Sequence, residues 1–368
     1  MPDLTFPFRP PFRQAHSDFV IAKKQQQPRP AIRKGNIGEI NPVVQALDCR
    51  HADFVSSSPL SITFPKHDTK PRFMKKFVDV SICEQSTRRC DRIVPTRSST
   101  YGDKHMRLAV FSDLHGNWTA FQAALADYEQ LGGADHVWVL GDLAAMGSRP
   151  SECIRQVKAM ADAAEAAGKK GTFRMVRGNT DRYLVTGMRP RASAVENADD
   201  FERMRKLQNT NNLGLLWGLN QITFEDYEVL RNLSSECDLH VDGFGYIIGY
   251  HGTPGDDEGF LKPDTSEDEA ADALMEREGH LGIGGHIHEQ MDRRLKYNHW
   301  RVINVGSVGM SFNNPGYAQW GLFTFENGDV RVDLRNIPYD VDAAVADVYA
   351  VGYPAPEWLE NRLRNGNR

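Results

Sequence analysis

The chain has 368 residues, 40% of them apolar and 25% charged. That composition suits one large globular domain or two ordinary ones, and no apolar run reaches the length of a membrane span. Five cysteines (Cys49, Cys83, Cys90, Cys153 and Cys237) fall at no ligand-like spacing and in odd number, which argues against a disulfide framework. A reducing, cytoplasmic setting fits this usage, and the N-terminus lacks a secretory pattern.

The formal net charge of −5 conceals a division. Residues 1–105 carry 18 Lys and Arg against 10 Asp and Glu, with 11 of the 19 prolines, whereas the remainder carries 26 against 39. Stretches such as Gln25-Gln26-Gln27-Pro28-Arg29-Pro30 and Ser56-Ser57-Ser58-Pro59 show no period, so 1–105 reads as a disordered, basic, Pro-rich extension. Asp3, Asp18, Glu39 and Asp48 spoil the acid-poor pattern of a transit peptide. Without a dense Lys/Arg block or interleaved aromatics there is no clear nucleic-acid-binding signal. Ordered patterning starts at Met106, the expected working start, giving a domain over 106–345 and a C-terminal tail over 346–368.

From Met106 strand-like and helical runs alternate, the signature of an α/β domain. A strand is expected at 108–111, then a helix at 119–131, where Phe121, Ala124, Leu125 and Tyr128 recur at helical spacing. A strand at 136–140, a helix at 152–167 and a strand at 173–176 follow. Residues 200–233 read as a polar helical cap or outer layer. Strands are expected at 246–250, 281–283 and 301–305, and 323–334 turns back on itself through Asn327-Gly328, a strong hairpin signal.

Five motifs lie on this map: Asp113-Leu114-His115, Gly141-Asp142, Gly178-Asn179, His251-Gly252 and Gly285-His286-Ile287-His288. Each follows the C-terminal end of an expected strand, the edge where open α/β sheets gather their ligand-binding loops. Singly, each has an ordinary explanation: Asp and Asn form turns, and histidines sit satisfied in cores. Together, five in order at strand ends point to one site. Carboxylate, imidazole and amide donors suit Mn, Fe, Co, Zn or Ni, and the set indicates a two-metal site for phosphate-ester hydrolysis. His136, His240, His280 and His299 lie outside the motifs and read as structural. Asp256-Asp257-Glu258 and Glu267-Asp268-Glu269 read as solvated, the second as helix-start chemistry after Thr265 or Ser266.

The segments Phe111-Ser112-Asp113-Leu114-His115-Gly116-Asn117, Leu140-Gly141-Asp142, His251-Gly252-Thr253-Pro254 and Asn304-Val305-Gly306-Ser307-Val308-Gly309 resemble the calcineurin-like metallophosphoesterases. The closest likeness is to their small bacterial and archaeal phosphodiesterase branch, which also resembles diadenosine tetraphosphatases. The resemblance runs from about Met106 to Asp342. It implies a sandwich of two mixed β-sheets flanked by helices. It also implies two divalent metals, Mn favoured over Fe, Ni, Co or Zn. Asp113, His115 and His288 would hold the first, Asn179, His251 and His286 the second, with Asp142 bridging. A hydroxide shared by the metals would attack phosphorus in line. Asn117 is a candidate phosphate contact, and Asp181 a residue that orients a ligand.

Many members of that superfamily follow the metal-binding asparagine with a histidine that protonates the leaving group. Here Thr180 follows Asn179, and a hydroxyl cannot be a general acid near neutral pH. The reading is therefore a metal-dependent hydrolase acting on phosphodiester bonds of small molecules or nucleotides. The alternatives are a phosphomonoesterase, including a protein or nucleotide phosphatase, and a non-catalytic binding scaffold such as a retromer subunit that resembles these enzymes. A small-molecule phosphoester is the expected partner, with no membrane, and a homo-oligomer is left open.

Overall fold

A computed structural model describes residues 105–191, 194–274, 277–296 and 299–366. The expectations for the N-terminal extension, including Cys49, Cys83 and Cys90, lie outside the described residues. Among the described residues, ten strands form two five-stranded sheets. In the first, β1 (Met106–Phe111), β2 (His136–Val139) and β3 (Phe173–Met175) run parallel, while β9 (Tyr317–Glu326) and β10 (Asp329–Pro338) extend it antiparallel beyond β1. In the second, β5 (Gly245–Tyr250), β6 (Leu281–Gly284) and β8 (Arg301–Val305) are parallel, flanked by antiparallel edges β4 (Glu236–Val241) and β7 (Gln290–Arg294).

Alternation along each strand assigns its faces. On β1 and β2, Leu108, Val110, Trp138 and Leu140 pack between the sheets with Ile247, Ile283, Ile303 and Phe323. Ala109, Phe111, Val137 and Val139 point the other way, against helices. Both faces are covered, which is why these strands read as continuous apolar runs. The helical layer comprises α1 (Trp118–Gln130), α2 (Pro150–Ala166), α3 (Asn179–Thr186), α4 (Ala198–Gln221), α5 (Phe224–Arg231), α7 (Val341–Ala350) and α8 (Pro356–Asn365), each contributing to that second cluster. A third cluster, including Tyr250, Met291, Trp300 and Ala270 of α6 (Glu267–Asp272), closes the outer face of the second sheet.

The expected strands and the first two helices are present, with ends shifted by a few residues. The polar layer expected over 200–233 is α4 and α5, separated where Thr223 caps α5 by accepting from Asp226 N. Asn327 and Gly328 both take positive φ (53° and 81°), the left-handed pair that a tight hairpin requires, and the strands they join are longer than expected. Residues beyond 345 are not a tail. They complete α7 and form α8, whose Leu359 and Leu363 are buried. Cys153 and Cys237 are free and buried. Among the described residues no helix is long and apolar enough to cross a membrane.

Candidate metal centre

All five motifs meet where the two sheets present their C-terminal strand ends. Eight described non-glycine residues have positive φ, and five of them are Asp113, His115, Asp142, His286 and His288. Left-handed backbone at such residues is disfavoured, so its concentration here marks a constrained, functional turn set. Gly178 is required for a different reason: a Cβ there would lie 2.1 Å from Asp142 Oδ1. Of the glycines in Gly282-Ile283-Gly284-Gly285, Gly285 makes room for Ser112 and Asp113, whose Oγ and Oδ2 would lie 1.9 and 2.5 Å from an added Cβ, whereas Gly282 and Gly284 make room for the Tyr250 ring.

The side chains converge in two groups whose ligating atoms lie within 4.8 Å of one another: Asp113 with His115 and His288, and Asp113 with Asp142 and His251. His115 Nδ1 donates to the Ala145 carbonyl at 2.8 Å, and His288 Nδ1 donates to that of Met310 at 2.7 Å. Each ring therefore turns an Nε2 lone pair inward, and the two Nε2 atoms are 3.0 Å apart. His251 repeats the arrangement, with Nδ1 on the Leu140 carbonyl at 2.7 Å and Nε2 3.0 Å from the Asn179 Oδ1. Acceptors facing acceptors at this separation repel unless a cation or proton lies between them. Asp113 Oδ1 and His286 Nε2 are buried without hydrogen-bond partners. These donors fit divalent metal ions.

Asp142 lies between His115 and His251. Its Oδ1 accepts the Thr180 N–H at 2.9 Å, leaving Oδ2 3.6 Å from His115 Nε2 and 3.5 Å from His251 Nε2. Asp113 Oδ2 is likewise committed, accepting from Ser112 Oγ at 2.6 Å and His286 N at 2.9 Å, so Oδ1 faces His288 Nε2 at 3.1 Å. His286 falls outside both convergent groups, its ring 5.0 Å from that of His251. Burial works to raise the Asp113 carboxyl, but the adjacent His288 and His251 hold it at about 2. Asp142 is held still further below the usual carboxylate range against burial, chiefly by His251. Burial lowers His251, but Asp142 and Asp113 outweigh it and push the imidazole up to about 10. His286 is brought down to about 4 by burial and by His251.

Asn117 and Asp181 are both engaged with backbone beside the ligand candidates. Asn117 caps α1 through Oδ1, which accepts from Ala120 N at 3.1 Å, and its Nδ2 donates to the Gly309 carbonyl at 2.8 Å. Its polar atoms are thus engaged in holding the fold. Asp181 is fully buried, with Oδ2 accepting from Asp142 N at 2.8 Å and Gly178 N at 3.0 Å, and Oδ1 from Leu143 N at 2.9 Å. It touches no open space and holds the backbone that carries Asp142. Burial and the Asp142 charge push its carboxyl up to about 7.

The structure also gives roles to residues to which the sequence reading assigned none. Ser307 Oγ donates to the Asp113 carbonyl at 2.8 Å, and Asn304 Nδ2 donates to that of Gly285 at 2.6 Å. Asp257 and Glu258, expected to be solvated, are only 14% and 12% exposed and bind Arg182 at 2.7 and 2.6 Å. That pairing ties α3 to the loop after His251. The second acidic run behaves as expected, with Ser266 capping α6. His240 packs edge-on against Tyr246 and His280 against Phe244, both away from the centre.

Residues 106–328 match the model of the calcineurin-like phosphoesterase superfamily domain. An uncharacterised protein of Methanocaldococcus jannaschii is 26% identical over 269 residues, covering 70% of this chain and 96% of that protein. A metallophosphoesterase from Sphaerobacter thermophilus is similar in structure with a TM-score of 0.52 at 23% identity, covering 71% of this chain and 99% of the other. A hypothetical protein from Pyrococcus horikoshii gives a TM-score of 0.56 at 20% identity over the same shares. The chain belongs to the calcineurin-like phosphoesterase superfamily.

Proposed function

We propose that this protein is a dinuclear metal-dependent phosphodiesterase acting on small-molecule or nucleotide phosphoesters. The observation that carries the reading is the convergence of the Nε2 atoms of His115, His288 and His251 and the Oδ1 of Asn179 around Asp142. Asp113, His115 and His288 would hold one ion and Asn179, His251 and His286 the other, with Asp142 between them and Mn the favoured metal. Two bound cations supply Lewis acidity, acidifying water and polarising a phosphoryl oxygen.

The chain's own residues prepare the site. Carbonyls of Ala145, Leu140 and Met310 fix the imidazole tautomers, and Asp181 sets the Asp142 backbone, so little reorganisation remains when ligands bind. Thr180 offers no acid, and its buried hydroxyl has no hydrogen-bond partner. A leaving group must therefore depart without protonation from that position, which favours substrates with stable leaving groups.

Room on two sides supports a diester over a monoester. His286 lines both a cavity of about 210 Å³, shared with His115, Asp142 and Trp358, and one of about 400 Å³, shared with Phe260 and Lys262. A diester can place one substituent in each. The test is a panel of diesters, monoesters and dinucleoside polyphosphates assayed on stripped protein with Mn or Ni restored. Diesters should turn over fastest, and a clear monoester preference would overturn the proposal.

A further inference from the structure

One wall of the 210 Å³ cavity is built from distant parts of the chain: Met146 after β2, Leu207 of α4, Met310 and Phe312 after β8, and Trp358 of α8. Phe312 stacks on His288, with ring centroids 4.5 Å apart and 29° between planes. The Arg362 guanidinium lies over both Phe312 and Trp358, 5.4 and 5.5 Å from their centroids. A series of flat groups thus runs from a candidate ligand to the C-terminal helix, which lies outside the residues matched by the family model. At the rim, Leu207 is 45% exposed.

A centre that had only to hold a phosphate would want donors and positive charge around it. Thioether, isobutyl and aromatic surface gives a phosphate oxygen nothing, but it gains free energy when it covers an apolar group. Planar neighbours add a preference for a ring, since offset stacking contributes beyond the area covered. We propose that Leu207, Met310, Phe312 and Trp358, with Arg362, form a subsite for a flat aromatic substituent on the phosphoester, an aryl or nucleobase ring. The inference rests on the phosphoesterase reading only for where the phosphoryl group lies. It assigns to α8 the choice of substrate.

Binding of non-hydrolysable phosphonates separates the two ideas. Titration calorimetry on the Mn-loaded full chain should show phenylphosphonate binding at least about tenfold more tightly than methylphosphonate, with butylphosphonate between them. Trp358→Ala should reduce the phenyl-to-methyl ratio to within about threefold. Leu207→Ser, at a position too exposed to be needed for folding, should reduce it in the same direction. Equal affinities, a butyl group bound as well as phenyl, no binding, or a ratio undiminished in both variants would each overturn the subsite. Failure of the same Mn-loaded protein to hydrolyse an aryl phosphodiester, with the phosphonate preference intact, would instead overturn the proposed activity and leave the subsite standing.

Discussion

Asp181 holds Asp142 by its backbone: one carboxylate oxygen accepts the Asp142 N–H at 2.8 Å and the other accepts that of Leu143 at 2.9 Å. Because Asp142 has left-handed φ, its loop depends on such fixation. Asp181→Ala should leave three backbone N–H groups without their acceptor and weaken metal affinity by about 10- to 100-fold, the usual range for a group supporting a ligand. Metal affinity measured by competition with a chelating dye checks this. Affinity within twofold of the parent would show that the loop holds without Asp181.

Metal loading should release protons. Against burial, Asp142 and Asp113 keep His251 protonated up to about pH 10 in the metal-free protein, whereas His286, at about 4, is already neutral at pH 7. A ligating imidazole must be neutral, so binding at pH 7 displaces the His251 proton. Apparent affinity should rise about tenfold per pH unit for each proton released over pH 6 to 8. Calorimetry in buffers of different ionisation enthalpy counts the protons, and a count of zero would contradict the assignment of His251.

A protein beginning at Met106 should fold and bind metal as the full chain does. Met106 opens β1, the strand between β9 and β2, and every candidate ligand follows it. Limited proteolysis should leave a resistant core starting near that residue. Insoluble expression of the shortened chain, or failure to take up metal, would contradict this domain boundary.

The absence of an acid at Thr180 has a kinetic signature. Diesters with basic alkoxide leaving groups should react far more slowly than aryl diesters of similar size, by up to the roughly 10²- to 10⁴-fold that general-acid assistance contributes. Thr180→His should narrow that gap. A rate independent of leaving-group basicity, with chemistry shown to be limiting, would mean that another group delivers the proton.

Most strand ends were legible because the central strands are largely apolar and their motifs begin where those runs stop; β3, an edge strand interrupted by Arg174, precedes Gly178-Asn179 with a weaker run. The edge strands β4 and β7 were missed. β4 alternates Cys237, Leu239 and Val241 with polar residues, a strand pattern that the sequence reading passed over, whereas in β7, Gln-Met-Asp-Arg-Arg, only Met291 is buried, so it carries no clear period. The C-terminal helix escaped for the same reason. Its contact with the core is mainly Leu359 and Leu363, although Pro356 at its start and Gly366 beyond its end were readable signals. Asn117 reads two ways: a polar residue beside ligands invites a chemical role, and Asn directly before a helical run is also the ordinary N-cap, which the structure shows it to be. Arg182 with Asp257 and Glu258 joins residues some 75 positions apart, a pairing that only the fold discloses.

The account turns on two cations sharing Asp142, and metal content measured together with turnover tests it most directly. Parent protein stripped with chelator should be inactive, take up two Mn ions per chain and then hydrolyse an aryl phosphodiester. Asp142→Ala should lose at least one ion and essentially all turnover, because one carboxylate serves both positions. Full activity in the stripped parent, or an Asp142→Ala variant that binds two ions and works within tenfold of the parent, would contradict it.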